Sequence, residues 1–391
     1  MAKFGVAVVG CGSIAHIAHF PSIQRTPEAE LIAVCDLNEK TANEAKEKFG
    51  AKRAYTDYKK MYEDSDDIDA VIIATPNNVH RNQACLAARA GLNVIVEKPL
   101  TVTADEAWDI VNECREHGVK LMVGCDRRFW THNQWAKDLI EDGVIGDLKM
   151  SRTSLHEHWH NYQNHVAFTD FRLDCSVAGG AAVSDTGAHA SELLTWLHGC
   201  KVKRGVGQAQ RVAMPDDYTL CDDLAMILME FEDGTSGFVS CNRFSPAVSQ
   251  STDLWGDQGT IHTTTDAINP FQSVPMAVFT NKDYSRETLP QLLRDNRWPE
   301  LFWVEDWISN PVRNRWVPIS PPRSPSNYDR MCAHFMECLA EDKEPLVSGE
   351  DGARSIEVMC GVFKSMETGA WVDLPLKDHV VPPNYTPLPK E

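Results

Sequence analysis

Across the first 125 residues, short unbroken apolar runs alternate with amphipathic stretches of helical length. Val6–Val9, Leu31–Val34, Val71–Ala74, Val94–Val96 and Leu121–Val123 contain no polar position, as expected for parallel strands buried on both faces. Between them, Asn38 to Phe49 sets Ala42, Ala45 and Phe49 at helical spacing, and Thr103 to His117 opens on Thr103-x-x-Glu106, a capping box. Strand followed by helix, repeated, predicts a doubly wound α/β unit over residues 1–125.

From about residue 148 the pattern becomes longer and alternating. Asp223 to Glu230 is followed by "EDGTSGFVSC", which predicts a hairpin turning at Asp233-Gly234 and hence an antiparallel sheet. A second, α+β domain over residues 126–391 follows. Residues 265–326 carry many prolines and four tryptophans (Trp298, Trp303, Trp307, Trp316) and no assignable period. Helical patterns return at Asn327–Ala340 and Glu350–Thr368, the latter ending at Gly369, and the proline-rich tail from Pro382 is expected to be extended. At 391 residues the chain is too long for one simple core, which agrees with two domains.

Charge and cysteine usage narrow the setting. With 38 Lys+Arg against 56 Asp+Glu, a formal charge of -18 repels nucleic acid and anionic membranes, and no local basic patch overrides it. Twelve cysteines are scattered from Cys11 to Cys360 without a CxxC pair and are expected to be reduced, mostly buried thiols. The start, Met-Ala-Lys-Phe, enters a strand pattern at once, and no stretch approaches a membrane span. The expectation is a cytoplasmic protein.

The chemistry begins at "VAVVGCGSIAH", where Gly10-x-Gly12-x-x-Ala15 joins the first strand to a helix. Glycines there allow a tight turn and close approach of a pyrophosphate to the helix N-terminus, which makes Gly10, Gly12, Ser13 and Ile14 candidate cofactor contacts. Asp36, followed by Leu37, stands at the end of the second strand at the spacing expected of a carboxylate that accepts both adenosine ribose hydroxyls. That carboxylate repels a 2′-phosphate and favours NAD over NADP. After the next strand, "ATPNNVH" places Thr75, Asn77 and His80 at the carboxyl edge of the sheet. This run can be a helix cap on Asn77 or Asn78, or a set of cofactor contacts.

A strand then ends in "VIVEKPLT", and a glutamate and lysine emerging together from a buried strand are costly without a use. With the glycine motif and Thr75-Pro76-Asn77, Glu97-Lys98-Pro99 resembles the signature of the Gfo/Idh/MocA oxidoreductase family. The likeness extends through Gly143-x-Ile145-Gly146, "GGAAVSDTGAHASELLTWL" and "SMETGAWVDLPL". It implies an N-terminal Rossmann domain and a C-terminal domain with an open, mainly antiparallel sheet. That sheet would wall the active site and serve as a homo-oligomer interface. The resemblance also implies that Glu97 and Lys98 lie at the cofactor, and that Lys98 contacts both the nicotinamide ribose and the reacting oxygen. Pro99 is commonly cis in relatives. Asp185 and His189 match the family's Asp-x-Gly-x-His element, four residues apart and on one face where that segment is helical. Arg128, in Cys125-Asp126-Arg127-Arg128-Phe129, is carried over as a substrate contact, although many relatives have Asn before the arginine.

Oxidising a secondary alcohol needs a base at the hydroxyl proton, a role that suits His189, and a cation beside the same oxygen, which Lys98 supplies. Asp185 can orient both or bind a second hydroxyl. Relatives differ over whether lysine or histidine carries the proton. Aromatic residues, with Trp159 and the later tryptophans as candidates, suit the apolar side of a sugar ring. The expected reaction is therefore hydride transfer to NAD from a ring hydroxyl of a sugar, glycoside or cyclitol, such as C3 of a hexose. A variant of this reading keeps NAD bound and recycles it in place; an inositol dehydrogenase, an NAD-dependent glycosidase-like enzyme and a non-catalytic NAD-binding regulator are the alternatives.

One stretch, "SLHEHWHNYQNHV", asks for a separate reading. In a strand, His156, His158 and His160 share a face, with successive members roughly 6.5 to 7 Å apart, so only neighbouring pairs could share an ion. No metal is expected. His156 and His158 are read instead as lining the substrate side of the second sheet, with Trp159 pointing the opposite way.

Overall fold

The computed structural model describes residues 3–158, 171–213, 222–265, 274–285, 287–296, 313–320 and 325–391. The N-terminal strands are β1 (Phe4–Val9), β2 (Ala29–Cys35), β3 (Arg53–Tyr55), β4 (Ala70–Ile73), β5 (Asn93–Val96) and β6 (Leu121–Val123). They form one sheet in the order β3-β2-β1-β4-β5-β6, parallel throughout. At its centre Val8 faces Val34 on one side and Ile72 on the other, and all three are buried. That burial on both faces explains why these runs show no polar alternation. The helices between the strands are α1 (Phe20–Arg25), α2 (Glu39–Phe49), α3 (Tyr58–Glu63), α4 (His80–Arg89) and α5 (Ala104–Glu116). Helix α5 starts in the expected capping box, with Thr103 and Glu106 each bonded to the other's backbone N–H, worth about 1 kcal/mol.

Because β1 is followed on one side by β2 and on the other by β4, the chain leaves the sheet in opposite directions from their carboxyl ends. This switch point opens a cleft there, and the residues that follow β1, β4, β5 and β6 border it.

The second sheet has nine strands among the described residues, in the order β14-β13-β12-β11-β7-β10-β9-β8-β15. They are β7 (Leu148–His158), β8 (Val202–Gln210), β9 (Leu224–Phe231), β10 (Ser236–Asn242), β11 (Phe244–Gly256), β12 (Gly259–Thr264), β13 (Met276–Thr280), β14 (Trp316–Ile319) and β15 (Val372–Asp373). Only β7 and β10 run parallel; every other pairing is antiparallel. The hairpin expected at Asp233-Gly234 joins β9 to β10, with Gly234 at φ 83°. Strands β13 and β14 fall inside the stretch for which the sequence pattern predicted no element.

One face of this sheet is covered. Helix α6 (Thr131–Glu141) and helix α7 (Gly187–His198) pack there, and Leu155, Ile227, Met229, Val239, Cys241 and Leu254 share a core with Leu193, Leu194 and Leu197 of α7. The other face is open, with Met150 exposed on β7 and Met226 and Leu228 exposed on β9, either side of β10. The last helices join the domains. Helix α8 (Asn327–Glu341) puts Met331, Phe335 and Met336 into the Rossmann core. Helix α9 (Gly349–Thr368) sends Ala353, Ile356 and Cys360 into that core and Val358, Met359 and Val362 into the core of the second sheet. The tail returns to the first domain, where Tyr385 donates to Glu106 at 2.8 Å and Arg81 and Asn82 donate to the carbonyls of Leu388 and Pro389.

One expectation about cysteines is corrected. Ten of those described are free, most of them buried, but Cys175 is disulfide-bonded. Such a bond joins residues by spatial approach, which spacing along the chain does not reveal. Among the described residues, no helix is long and apolar enough to cross a membrane, and no group of three or more His, Cys, Asp or Glu is placed to hold a metal ion.

Candidate active site

The glycine motif takes the conformation a dinucleotide needs. Gly10 has φ 91°, and a Cβ there would lie 2.6 Å from the Ala74 carbonyl oxygen, so only glycine fits. A Cβ on Gly12 would meet nothing within 4 Å, which leaves open space above the backbone where the helix begins. Ser13 is exposed and Ile14 half-buried beside it. Asp36 closes the other lip. Its carboxylate accepts from the backbone N–H of Cys11 and of Asn38, each at 2.9 Å, and Leu37 beyond it is exposed. A carboxylate held in place opposite an open glycine turn fits the ribose and pyrophosphate of NAD.

The run after β4 divides. Thr75 is half-buried and donates to Gln83 at 2.6 Å. Asn77 donates its amide to the carbonyl of Ala178, so it ties the two domains together. His80 is corrected as a cofactor contact: it is wholly buried, one ring nitrogen within 2.8 Å of the Thr75 carbonyl and the other near the carbonyls of Pro99 and Leu100. It braces the loops from beneath.

The cis Lys98–Pro99 peptide follows β5. Glu97 is buried, bonded to His19 at 2.8 Å and to the backbone N–H of Lys98. Burial would raise its carboxyl, but His19 and Lys98 hold it below the usual range. Lys98 reaches across to the other domain, where its Nζ is paired with the Asp185 carboxylate and lies 3.3 Å from the Asp185 carbonyl. Asp185 sits in a π-helical turn, Ala182–Thr186, that runs into α7. The turn is shaped by buried Asp222, which accepts from the N–H groups of Ala181 and Val183 at 2.8 and 2.6 Å. Asp185 also pairs with Arg243, with Arg172 4.0 Å away. Burial would raise the Asp185 carboxyl; Lys98, Arg243 and Arg172 instead hold it far below the usual range, so it is an anion at every working pH.

One helical turn beyond, His189 is 9 % exposed. Its Nδ1 is enclosed without a hydrogen bond and lies 3.6 Å from Asp126. Burial, then Lys98 and Arg127, push its pKa well below the usual value against the pull of Asp185, which leaves the imidazole neutral and ready to accept a proton. A cleft beside it is lined by Arg127, Trp130, His132, Thr153, Gln250 and Thr265, with the Arg127 guanidinium 4.3 Å above the Trp130 ring. Lys98, Asp185 and His189, called from the sequence, are thus brought together.

Arg128 and His156 are not, and both expectations are corrected. The Arg128 side chain is buried in an ion pair with Glu192, 3.3 Å from Asp351 and 2.7 Å from the Leu346 carbonyl, so it joins α7 to the start of α9 instead of facing a substrate. His156 lies on the open face of the second sheet, its Nε2 3.0 Å from the Ser240 hydroxyl. The covered face of β7 carries Ser151, Thr153, Leu155 and Glu157, and there Thr186 donates to Glu157 and Arg243 lies 3.8 Å from it. The alternation was legible; which face met the site was not. The side chain of His158, and Trp159, His160, Trp298, Trp303 and Trp307, lie outside the described residues. Trp316 stands exposed on edge strand β14.

Sequence reasoning missed Arg243, Glu157, Asp222 and Asp126. Glu157 alternates with the histidines and could have been found by weighing both faces. Arg243 follows β10 with no local signal: a lone arginine after a strand is ordinarily a surface residue.

Comparison with known proteins identifies the family and the fold. Residues 4–125 match the family model described as an oxidoreductase family with NAD-binding Rossmann fold, and residues 133–262 match the GFO/IDH/MocA C-terminal domain. A D-apiose dehydrogenase of Paraburkholderia graminis is 28% identical over 95% of this chain and 90% of its own. The scyllo-inositol 2-dehydrogenase (NAD(+)) of Bacillus subtilis is 24% identical over 95% of this chain and 96% of its own. A solved levoglucosan dehydrogenase, in complex with NADH and levoglucosan, shares the fold with a TM-score of 0.79 at 21% identity, over 96% of this chain and 100% of that one.

Proposed function

The chain belongs to the Gfo/Idh/MocA oxidoreductase family, and on that premise we propose that it oxidises a secondary ring hydroxyl of a sugar, glycoside or cyclitol. The observation that carries this reading is the meeting of Lys98, from the Rossmann domain, with Asp185 and His189 of the second domain at the mouth of the cofactor cleft. NAD, when bound, supplies the hydride acceptor. The neutral His189 takes the hydroxyl proton, and the Lys98 ammonium stabilises charge developing on the same oxygen. Asp185 keeps Lys98 in place and itself remains ionised. Arg127, Trp130, His132 and Gln250 border a narrow cleft beside His189, and their polar groups are candidates to read the hydroxyls of the ring. Named relatives that act on D-apiose and scyllo-inositol support a polyol substrate.

The purified protein, saturated with NAD, would be screened against inositols, aldoses and anhydrosugars for absorbance of the reduced cofactor. We expect turnover of at least one ring polyol, and a loss of roughly 10²- to 10⁴-fold in Lys98→Met and His189→Gln, with NAD affinity retained in His189→Gln. Full rates in either variant would remove that residue from the mechanism; no turnover of any polyol would remove the reaction.

The open face of the second sheet supports self-association. Met226 and Leu228 of β9, and Met150 of β7 beyond the intervening β10, are exposed on this face, apolar side chains that a partner surface would cover.

A further inference from the structure

Asp126 occupies the position where the sequence departs from its resemblance, three residues after the end of β6. The carboxylate is 6% exposed. Its Oδ2 accepts from Trp130 Nε1 at 2.9 Å and from the side-chain amide of Asn327. Its Oδ1 faces His189 Nδ1 at 3.6 Å. That Nδ1 is enclosed and makes no hydrogen bond. A buried N–H without an acceptor is costly, so a few tenths of an ångström of closure toward Asp126 is favoured.

We propose that Asp126 is a positioning residue for His189: it holds the proton on Nδ1, so that Nε2 is the nitrogen presented to the substrate hydroxyl. This rests on the reading of His189 as the base. A bound NAD would supply the acceptor for the hydride of the C–H bond; at the hydroxyl, His189 Nε2 takes the O–H proton as the carbonyl forms. Asp126 stays a carboxylate throughout and stabilises the imidazolium so produced. The charges around the ring make that counter-ion useful. Lys98 after β5, Arg127 after β6 and Arg243 after β10 all disfavour a second proton on His189, and Asp185 favours one. His132 of α6 and Gln250 of β11 border the same cleft, and Glu157 of β7 lies beside Arg243. From α8, Tyr328 is influenced by Asp126 but stays protonated, because burial, Asp126 and Glu97 hold its hydroxyl well above the usual range. Among these groups Asp126 is the carboxylate on the Nδ1 side.

Asp126→Asn makes a directional prediction. Two donors, Trp130 Nε1 and the Asn327 amide, claim the position of Oδ2, so the amide oxygen of the variant is drawn there and its NH₂ is turned toward His189. An NH₂ facing Nδ1 requires Nδ1 to be an acceptor, which moves the proton to Nε2 and disables the base. The test is nitrogen NMR of the full chain labelled with ¹⁵N-histidine and saturated with NAD, the His189 signal being identified by its absence in His189→Gln. We expect Nδ1–H in the wild type, Nε2–H in Asp126→Asn, and Nδ1–H again in Asp126→Glu. With a polyol that turns over, kcat of Asp126→Asn should fall about 10²-fold or more while the NAD dissociation constant stays within twofold.

Nε2–H in the wild type, or Nδ1–H retained in Asp126→Asn, overturns the proposal; the wild-type spectrum alone suffices if the variant does not fold. A tautomer swap together with undiminished turnover in His189→Gln would instead refute the catalytic reading of His189 and leave the pairing intact.

Discussion

Replacing Arg243 with methionine removes a buried cation from the centre of the site while keeping most of its volume. The guanidinium is 2% exposed, paired with Asp185 and close to Glu157. Breaking a buried ion pair from one side typically costs 3–5 kcal/mol, because the other charge is left in a poorly solvating place. Here Asp185 keeps Lys98, so the lower end, about 3 kcal/mol, applies. Against a total stability of about 5–15 kcal/mol that is a large fraction, and at roughly 2–4 °C per kcal/mol it predicts a thermal midpoint lowered by about 6–12 °C. The assay is differential scanning calorimetry of four proteins: wild type, Arg243→Met, Asp185→Asn and the double variant. Removing both partners strands neither member of this pair, although Lys98 then loses its carboxylate, so the double variant should be more stable than the sum of the single losses, by about 2 kcal/mol. Arg243→Lys should fall between, since one ammonium cannot reproduce the guanidinium fork. A loss below about 1 kcal/mol in Arg243→Met, or strict additivity in the cycle, would show that the Asp185 pair contributes nothing net and that Lys98 alone holds the carboxylate.

Two other outcomes follow from buried and exposed residues away from the chemistry. Burial, with Asp351 nearby, raises the Glu192 carboxyl to about 7 against the opposing pull of Arg128. A carboxyl raised in the fold stabilises most when protonated, so this contribution is full below the unfolded value near 4.5 and is lost as pH rises through about 7. Its size is on the order of 3 kcal/mol, and calorimetry from pH 5 to 8 should show a flatter decline in Glu192→Gln than in the wild type; equal slopes would exclude Glu192 as the titrating group. On the open sheet face, Leu228→Glu should shift the protein toward monomer in sedimentation velocity without lowering turnover per site, whereas an unchanged sedimentation coefficient would place self-association elsewhere.

The chain's local order carried much of the outcome. Five apolar runs, the glycine turn and Asp36 were enough to specify a dinucleotide-binding sheet, because a strand buried on both faces cannot hide its pattern and a φ of 91° admits only glycine. Glu97-Lys98 and Asp185/His189 were likewise visible as motifs. Which sequence neighbours face the same way was also legible: His156 and Glu157 do lie on opposite sides of β7.

What periodicity could not supply is the partner of each face. Helix α7 covers one side of β7 through packing between residues some forty positions apart, so Glu157 and not His156 reaches the site. The same holds for the cations. Arg128 is drawn into a buried pair by Glu192 and Asp351, and Arg243 is drawn to Asp185, because each charge, once removed from water, must find its counter-charge in whatever the fold brings near. The sequence determined which chemistry was available. Tertiary structure decided which arginine, which face and which carboxylate would take part, since low-dielectric pairing depends on distances that the linear chain does not contain.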